Sequence, residues 1–126
     1  MTLRILIADD SRSLRQALKN MLSLSPDKWE ICGEAADGHE AVSQTLALKP
    51  DVMLLDLSIP VLSGIEVVKS LRQQQSPATV VLMSQQDPEV MKRLAGSVAV
   101  PFYVAKAQLV TELPVVLQRI SENQSK

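Results

Sequence analysis

The chain predicts an α/β fold in which a parallel β-sheet carries helices on both faces. Three observations lead there. Five short runs rich in Leu, Val, Ile and Met alternate with five stretches whose apolar residues recur at helical spacing. The central run, Val52 to Leu55, is apolar throughout and the others are mostly apolar, as suits buried parallel strands. Aromatic residues are only 2% of a 126-residue chain that is 46% apolar, so the core has to be aliphatic.

The elements follow in order. Leu3 to Ala8 reads as a first strand and ends in Asp9 and Asp10. Leu14, Ala17, Leu18, Met21 and Leu22 then form a helical stripe, with Ser11 placed as its cap and Ser25-Pro26-Asp27 as its end. Trp29 to Ala35 reads as a second strand. Asp37-Gly38 turns into a helix whose core contacts are Ala41, Val42, Leu46 and Leu48, closed by Pro50. Val52 to Leu55 is a strand ending at Asp56, and a loop through Pro60 and Gly64 leads to a helix carrying Ile65, Val68 and Leu71. Thr79 to Met83 is a fourth strand ending at Ser84. Asp87-Pro88, a cap and a first-turn proline, opens a short helix through Val90, Met91 and Leu94. Phe102 to Ala105 is a fifth strand ending at Lys106. The last helix presents Leu113, Val116, Leu117 and Ile120, with Thr111 as cap so that Pro114 falls in its first turn. Residues 1–122 are expected to form one domain and residues 123–126 a polar tail. Right-handed crossovers restrict the topology to a few doubly wound orders.

Composition excludes several classes. A net charge of −1 with acids and bases interspersed leaves no basic stripe for nucleic acid. A single cysteine, Cys32, allows no internal disulfide, fits a reducing compartment and reads as a small buried hydrophobe. No apolar run is long enough to span a bilayer, and the N-terminus enters a strand without a signal-peptide layout. The expectation is a cytoplasmic protein that touches no membrane.

The chemistry lies in where the polar residues fall. Asp9, Asp10, Asp56, Ser84 and Lys106 all stand at the carboxyl ends of predicted strands, the edge where open α/β sheets bind ligands. Three neighbouring carboxylates repel one another and call for a hard cation. Mg²⁺ suits them, since it leaves coordination places for water and phosphate. Asp10 and Asp56 would be direct ligands, Asp9 a ligand directly or through water, and the backbone carbonyl of Ser58 a fourth protein oxygen. An aspartate so placed can act as a nucleophile toward phosphorus. Mg²⁺, Lys106 and the Ser84 hydroxyl can then each serve one phosphoryl oxygen.

With ILIADD, DVMLLDLSIP followed by Gly64, VVLMS and FYVAK in this order, the chain resembles the receiver domains of bacterial response regulators over nearly its whole length. CGEAADGHEAV further resembles receivers of the nitrate-regulator class, which carry a helix-turn-helix output domain. The resemblance implies the flavodoxin-like strand order 2-1-3-4-5. It also implies Asp56 as phosphoacceptor, Asp9 and Asp10 as the metal pair, and Ser84 and Lys106 as the hydroxyl and lysine partners. Ser84 and Tyr103 are implied as the switch, read on the face of the fourth helix, fifth strand and fifth helix. Ser58 and Gln86 match positions that tune dephosphorylation, and neither is an acid or a base. The implied partners are a histidine kinase or histidine phosphotransfer protein. A C-terminal DNA-binding output domain, implied for that class, is not among these 126 residues. A homodimer through the first and fifth helices or through the output face is compatible with the composition, which does not choose between them.

Three departures stand out. Ala107 follows Lys106 where the family commonly has proline after a cis peptide bond. Gln85 follows Ser84 where a small residue is usual, and its bulk is expected to narrow access to Asp56. AGSVAVP lacks the Gly-Ala-x-Gly pattern, which predicts a shortened or reshaped fourth helix. These departures keep open a receiver-like scaffold that binds without phosphorylation. A Mg²⁺-dependent phosphatase is a third reading, opposed by the lack of room for a substrate-covering cap. The chain itself is therefore read as no enzyme beyond taking up a phosphoryl group and slowly losing it. His39, at the start of the second helix, reads as solvent-facing.

Overall fold

The computed structural model describes residues 2–124. Strands β1 (Leu3–Ala8), β2 (Trp29–Ala35), β3 (Val52–Asp56), β4 (Thr79–Ser84) and β5 (Phe102–Ala105) alternate with helices α1 (Arg12–Leu22), α2 (Gly38–Leu48), α3 (Gly64–Gln73), α4 (Pro88–Ser97) and α5 (Leu109–Gln124). The strands form one parallel sheet in the order β2-β1-β3-β4-β5, the flavodoxin-like order.

Successive residues of a strand point to opposite faces, and here both faces are dry. Leu3, Ile5, Ile7, Val52, Leu54, Val81 and Met83 pack with α1 and α5. Leu6, Ala8, Met53, Leu55 and Leu82 pack with α2, α3 and α4 on the other side. All five residues of β3 are buried, which accounts for its unbroken apolar run before Asp56. The β1–β2 register slips between Ile5 and Leu6, where β2 carries Cys32 as an extra residue. Cys32 is half-buried there, and burial pushes its thiol pKa up.

The helix starts obey local chemistry. Ser11 and Asp37 accept the Leu14 and Glu40 N–H groups, and Asp87 accepts that of Glu89 ahead of Pro88. Ser63 and Glu66 form a reciprocal capping box on α3, the local Ser-x-x-Glu pattern. Two glycines allow close approach where a side chain would not fit. A Cβ on Gly38 would lie 2.2 Å from the Leu62 carbonyl oxygen, and one on Gly64 2.8 Å from Leu57 Cα. Gly38 and Gly64 also donate N–H groups to Pro60 and Leu57, so both tie helix starts to the loop after Asp56.

Several expectations need correction. Ala17 is exposed and leaves the α1 stripe to Leu14, Leu18, Met21 and Leu22. The fourth helix is not shortened, since α4 has ten residues, as many as α3. What departs is its exit, where Ala99 takes the left-handed conformation at φ 52°. The Arg72 guanidinium donates to the Val98 and Ala99 carbonyls there. Thr111 is not a cap. A 3-10 turn at Lys106–Gln108 runs directly into α5, because Leu109 is already buried, and Pro114 lies inside the helix. α5 continues to Gln124, so the first two residues assigned to the polar tail are helical, while Ser125 and Lys126 lie outside the described residues.

Candidate phosphoacceptor and metal site

The sheet order places the site. The chain leaves β1 toward β2 on one side and returns to β3 on the other, so a crevice opens at the carboxyl ends of β1 and β3. Asp9 and Asp10 follow β1, and Asp56 ends β3. Lys106 follows β5, two strands from β3, a span of about 10 Å at ordinary strand spacing. Its long stem crosses the end of β4.

Asp9 is fully buried. Its Oδ1 accepts the Ser11 N–H at 2.8 Å, and its Oδ2 lies 2.8 Å from Lys106 Nζ. Asp56 is 4% exposed, with Oδ1 accepting the Ser58 N–H at 3.0 Å and Oδ2 3.4 Å from Lys106 Nζ. Asp10 is exposed and completes a triad in which one oxygen from each carboxylate lies within 4.8 Å of the others.

Burial raises the Asp56 carboxyl pKa above its ordinary value; the Ser58 N–H and Lys106 oppose the rise, and Asp9 adds to it. Burial alone would lower the Lys106 ammonium, but Asp9 and Asp56 outweigh it and hold the lysine above its usual range. The buried Asp9 Oδ2 has no well-aligned hydrogen-bond donor; the lysine charge beside it is its compensation. One ammonium facing three carboxylates leaves negative charge in excess. The donor set is all oxygen, so the residues fit a hard divalent cation.

Ser84 is fully buried, and its Oγ accepts the Gln86 N–H at 2.9 Å, closing the turn that leads to α4. Tyr103 is half-buried on β5 and packs against the α2–α3–α4 core. Ser58 and Gln86 are exposed. Gln85 is also exposed and lines a cleft of about 720 Å³ with Ser84, Lys106 and Ala107, and this cleft opens between α1 and the two loops. The described peptide bonds are all trans, that between Lys106 and Ala107 included. His39 is exposed, and Trp29 is buried at the amino end of β2, away from the site.

Arg15 and Glu34 were not singled out from the sequence. Arg15 Nη1 donates to the Asp9 carbonyl at 2.7 Å, and its Nε donates to Glu34 Oε1 at 2.9 Å. The two residues are 19 positions apart, and no periodicity links them.

Comparison with known proteins agrees with this arrangement. A family model described as "Response regulator receiver domain" matches residues 5–118. A protein-glutamate methylesterase/protein-glutamine glutaminase of Methanosarcina acetivorans is 40% identical over 82 residues, covering 65% of this chain and 23% of that protein. The chain thus spans about a quarter of that relative's length. The chemotaxis protein CheY of Thermotoga maritima is 27% identical over 119 residues, 94% of this chain and 98% of that protein. The signal receiver domain of the putative response regulator NarL from Mycobacterium tuberculosis superposes with a TM-score of 0.81 at 27% identity, covering 93% of this chain and 97% of that one. With the doubly wound sheet, the acid triad at its switch point and the lysine reaching across it, the chain belongs to the response regulator receiver domain family.

Proposed function

We propose that the chain is a phosphorylation-controlled interaction domain in which Asp56 takes a phosphoryl group from a phosphorylated histidine of a kinase or phosphotransfer protein. The carrying observation is a nearly buried Asp56 carboxylate that shares one ammonium with Asp9 at the sheet's switch point. An Asp56 oxygen attacks phosphorus and forms a P–O bond as the P–N bond breaks. The imidazole leaves with the bonding pair and takes up a proton. Lys106 is poised to exchange a carboxylate oxygen for a phosphoryl oxygen, and Ser84 can donate its O–H to another. Asp9, Asp10, Asp56 and the Ser58 carbonyl would hold Mg²⁺, which supplies charge neutralisation at a phosphoryl oxygen when bound.

Turning Ser84 toward the phosphoryl group weakens its bond to the Gln86 N–H, at the start of α4. We read this, with a rotamer change of Tyr103, as a population shift of the α4–β5–α5 face. Ser58 and Gln86 offer no acid or base to an attacking water, so the acyl phosphate is expected to last minutes or longer. The scaffold reading loses a shortened fourth helix and keeps the reshaped exit of α4, Gln85 and Ala107.

The test is Mg²⁺-dependent uptake from acetyl phosphate, read by intact mass for the native chain and Asp56→Asn. A stoichiometric adduct absent from the variant is expected. No uptake favours the scaffold, and rapid turnover of varied phosphoesters favours a phosphatase.

Two further assignments belong to this reading. No helix among the described residues is long and apolar enough to cross a membrane, and we place the chain in the cytoplasm with its kinase. A homodimer is assigned to α1 and α5, because three of the four exposed large apolar residues among those described, Leu24, Val110 and Val115, line one cleft there. Lys28, Arg119 and Glu122 also line it, so a second copy related by a two-fold axis finds both charge signs. Val115→Glu is expected to convert a dimer to a monomer in sedimentation. A dimer unaffected by the change would move the contact elsewhere.

A further inference from the structure

The residue that stands out beyond the acid triad is Arg15, in the second turn of α1 with only 15% of its side chain exposed. Its planar guanidinium makes two fork-like contacts, one with the Asp9 carbonyl at 2.7 Å and one with Glu34 Oε1 at 2.9 Å. Lys19 Nζ holds the other Glu34 oxygen at 2.8 Å, so Glu34 is clamped between two cations. The Lys19 bond, reinforced by that of Arg15, keeps the Glu34 carboxyl pKa low.

The Asp9 backbone is gripped from both sides. Its N–H donates to the Ala35 carbonyl at 3.0 Å, and Ala35 follows Glu34 on β2. Its carbonyl, half of the peptide joining Asp9 to Asp10, accepts from Arg15. The Asp10 carboxylate has no hydrogen bond or ion pair of its own among the described residues, although it contributes an oxygen to the triad. With no partner to hold its rotamer, the Asp10 side chain depends on its backbone for the direction in which it leaves the chain. The tilt of the Asp9–Asp10 peptide sets the direction of the Asp10 Cα–Cβ bond, and with it which rotamers bring an Asp10 oxygen to the triad, and Arg15 holds that tilt.

We infer that Arg15, buttressed by Glu34, is a positioning residue that orients the Asp9–Asp10 peptide for divalent-cation binding. It touches neither cation nor phosphoryl group and acts only through the Asp9 carbonyl. This rests on the metal-dependent reading of the same site. A lysine at this position carries a compact ammonium on a flexible stem and lacks the planar geometry that fixes both contacts together.

The experiment titrates Mg²⁺ calorimetrically into the native chain, Arg15→Gln, Arg15→Lys, Glu34→Gln and Lys19→Ala, with a thermal melt of each. Residues that orient a metal's ligands typically change affinity by about 10- to 100-fold when replaced. Arg15→Gln is expected to weaken Mg²⁺ binding at least tenfold, by roughly the lower end of that range, and Arg15→Lys and Glu34→Gln less. Lys19→Ala breaks the second Glu34 contact but spares the Asp9 carbonyl, so its Mg²⁺ affinity should stay near native. Phosphate uptake by Arg15→Gln should recover at saturating Mg²⁺, which a general loss of structure would not produce. Native affinity in folded Arg15→Gln and Arg15→Lys overturns the inference. Failure of both to fold, with Lys19→Ala folded, also overturns it by showing that the fork serves the fold instead. If the native chain binds no Mg²⁺, the metal-dependent reading itself falls.

Discussion

The two halves of the site are built differently. On the β1–β3 side, the Asp9 N–H, carbonyl and carboxylate all have partners, and Gly38 and Gly64 lock α2 and α3 against the loop after Asp56. On the β4–β5 side, two local side-chain bonds, from the Gln86 N–H to Ser84 Oγ and from the Glu89 N–H to Asp87 Oδ1, hold the loop, while Gln85, Gln86, Asp87, Ala107 and Gln108 are all exposed around an open cleft. Among the described residues, Lys106 is the only side chain that joins the halves by ion pairs. The comparison teaches a division of labour. On the reading proposed above, Asp9 and Asp56 are held still for a cation and a phosphoryl group, while the segment assigned to report phosphorylation is lightly tethered and opens at lower cost.

The largest effect should come from cutting the bridge. Lys106→Ala leaves two buried carboxylates without a counterion, and removing one partner of a buried pair costs about 3–5 kcal/mol. Urea melts without Mg²⁺ should show a loss near the lower end, since Lys106 is partly exposed, and acetyl phosphate uptake should fall at least about 100-fold. A loss confined to uptake would mean that the halves are held together by something else. Next comes the rigid side. Gly64→Ala brings a Cβ within 2.8 Å of Leu57 Cα and 2.9 Å of the Asp56 carbonyl oxygen. It should cost about 2 kcal/mol, as overpacking does, and slow uptake by displacing Asp56.

Asp56→Asn tests the electrostatics without a cation. The folded pKa of Asp56 lies above its ordinary 3.8 because of burial. The folded state thus binds more protons than the unfolded state in that window, and stability falls as pH rises through it. The native chain should lose stability relative to Asp56→Asn between pH values just below 3.8 and the raised folded value, with a constant gap above. Urea midpoints that stay parallel through that window would show that burial does not strain this carboxylate.

The smallest effects concern the backbone. Val61 at φ 73°, in the loop after Asp56, and Ala99 at φ 52°, at the exit of α4, occupy left-handed conformations. Such conformations cost a residue with a Cβ roughly 1–2 kcal/mol relative to glycine, partly offset by the freedom glycine adds to the unfolded chain. Val61→Gly and Ala99→Gly should each raise the melting temperature slightly. Hydrogen exchange sharpens the comparison further. Phosphorylation should speed exchange at the Gln86 N–H and leave the Asp9 and Ser11 N–H groups unchanged.

All five strands, the helix caps at Ser11 and Asp87 and the start of a helix after Asp37-Gly38 were readable from sequence, because they depend on nearest neighbours along the chain. So was the grouping of Asp9, Asp10, Asp56, Ser84 and Lys106, since any parallel doubly wound sheet sends the carboxyl ends of its strands to one edge. The start of α5 was not readable. Thr111 and Pro114 form a credible local cap, but burial of Leu109 recruits the preceding turn into the helix. The length of α4 was likewise decided by packing of Met91 and Ala95 and by Arg72 bonding the carbonyls beyond it. The sequence by itself determined which groups meet, because periodicity and strand ends are local properties. Only the tertiary structure decided how they are held, with Arg15 on the Asp9 carbonyl and Gly64 beneath Asp56, because those contacts join residues that no pattern along the chain connects.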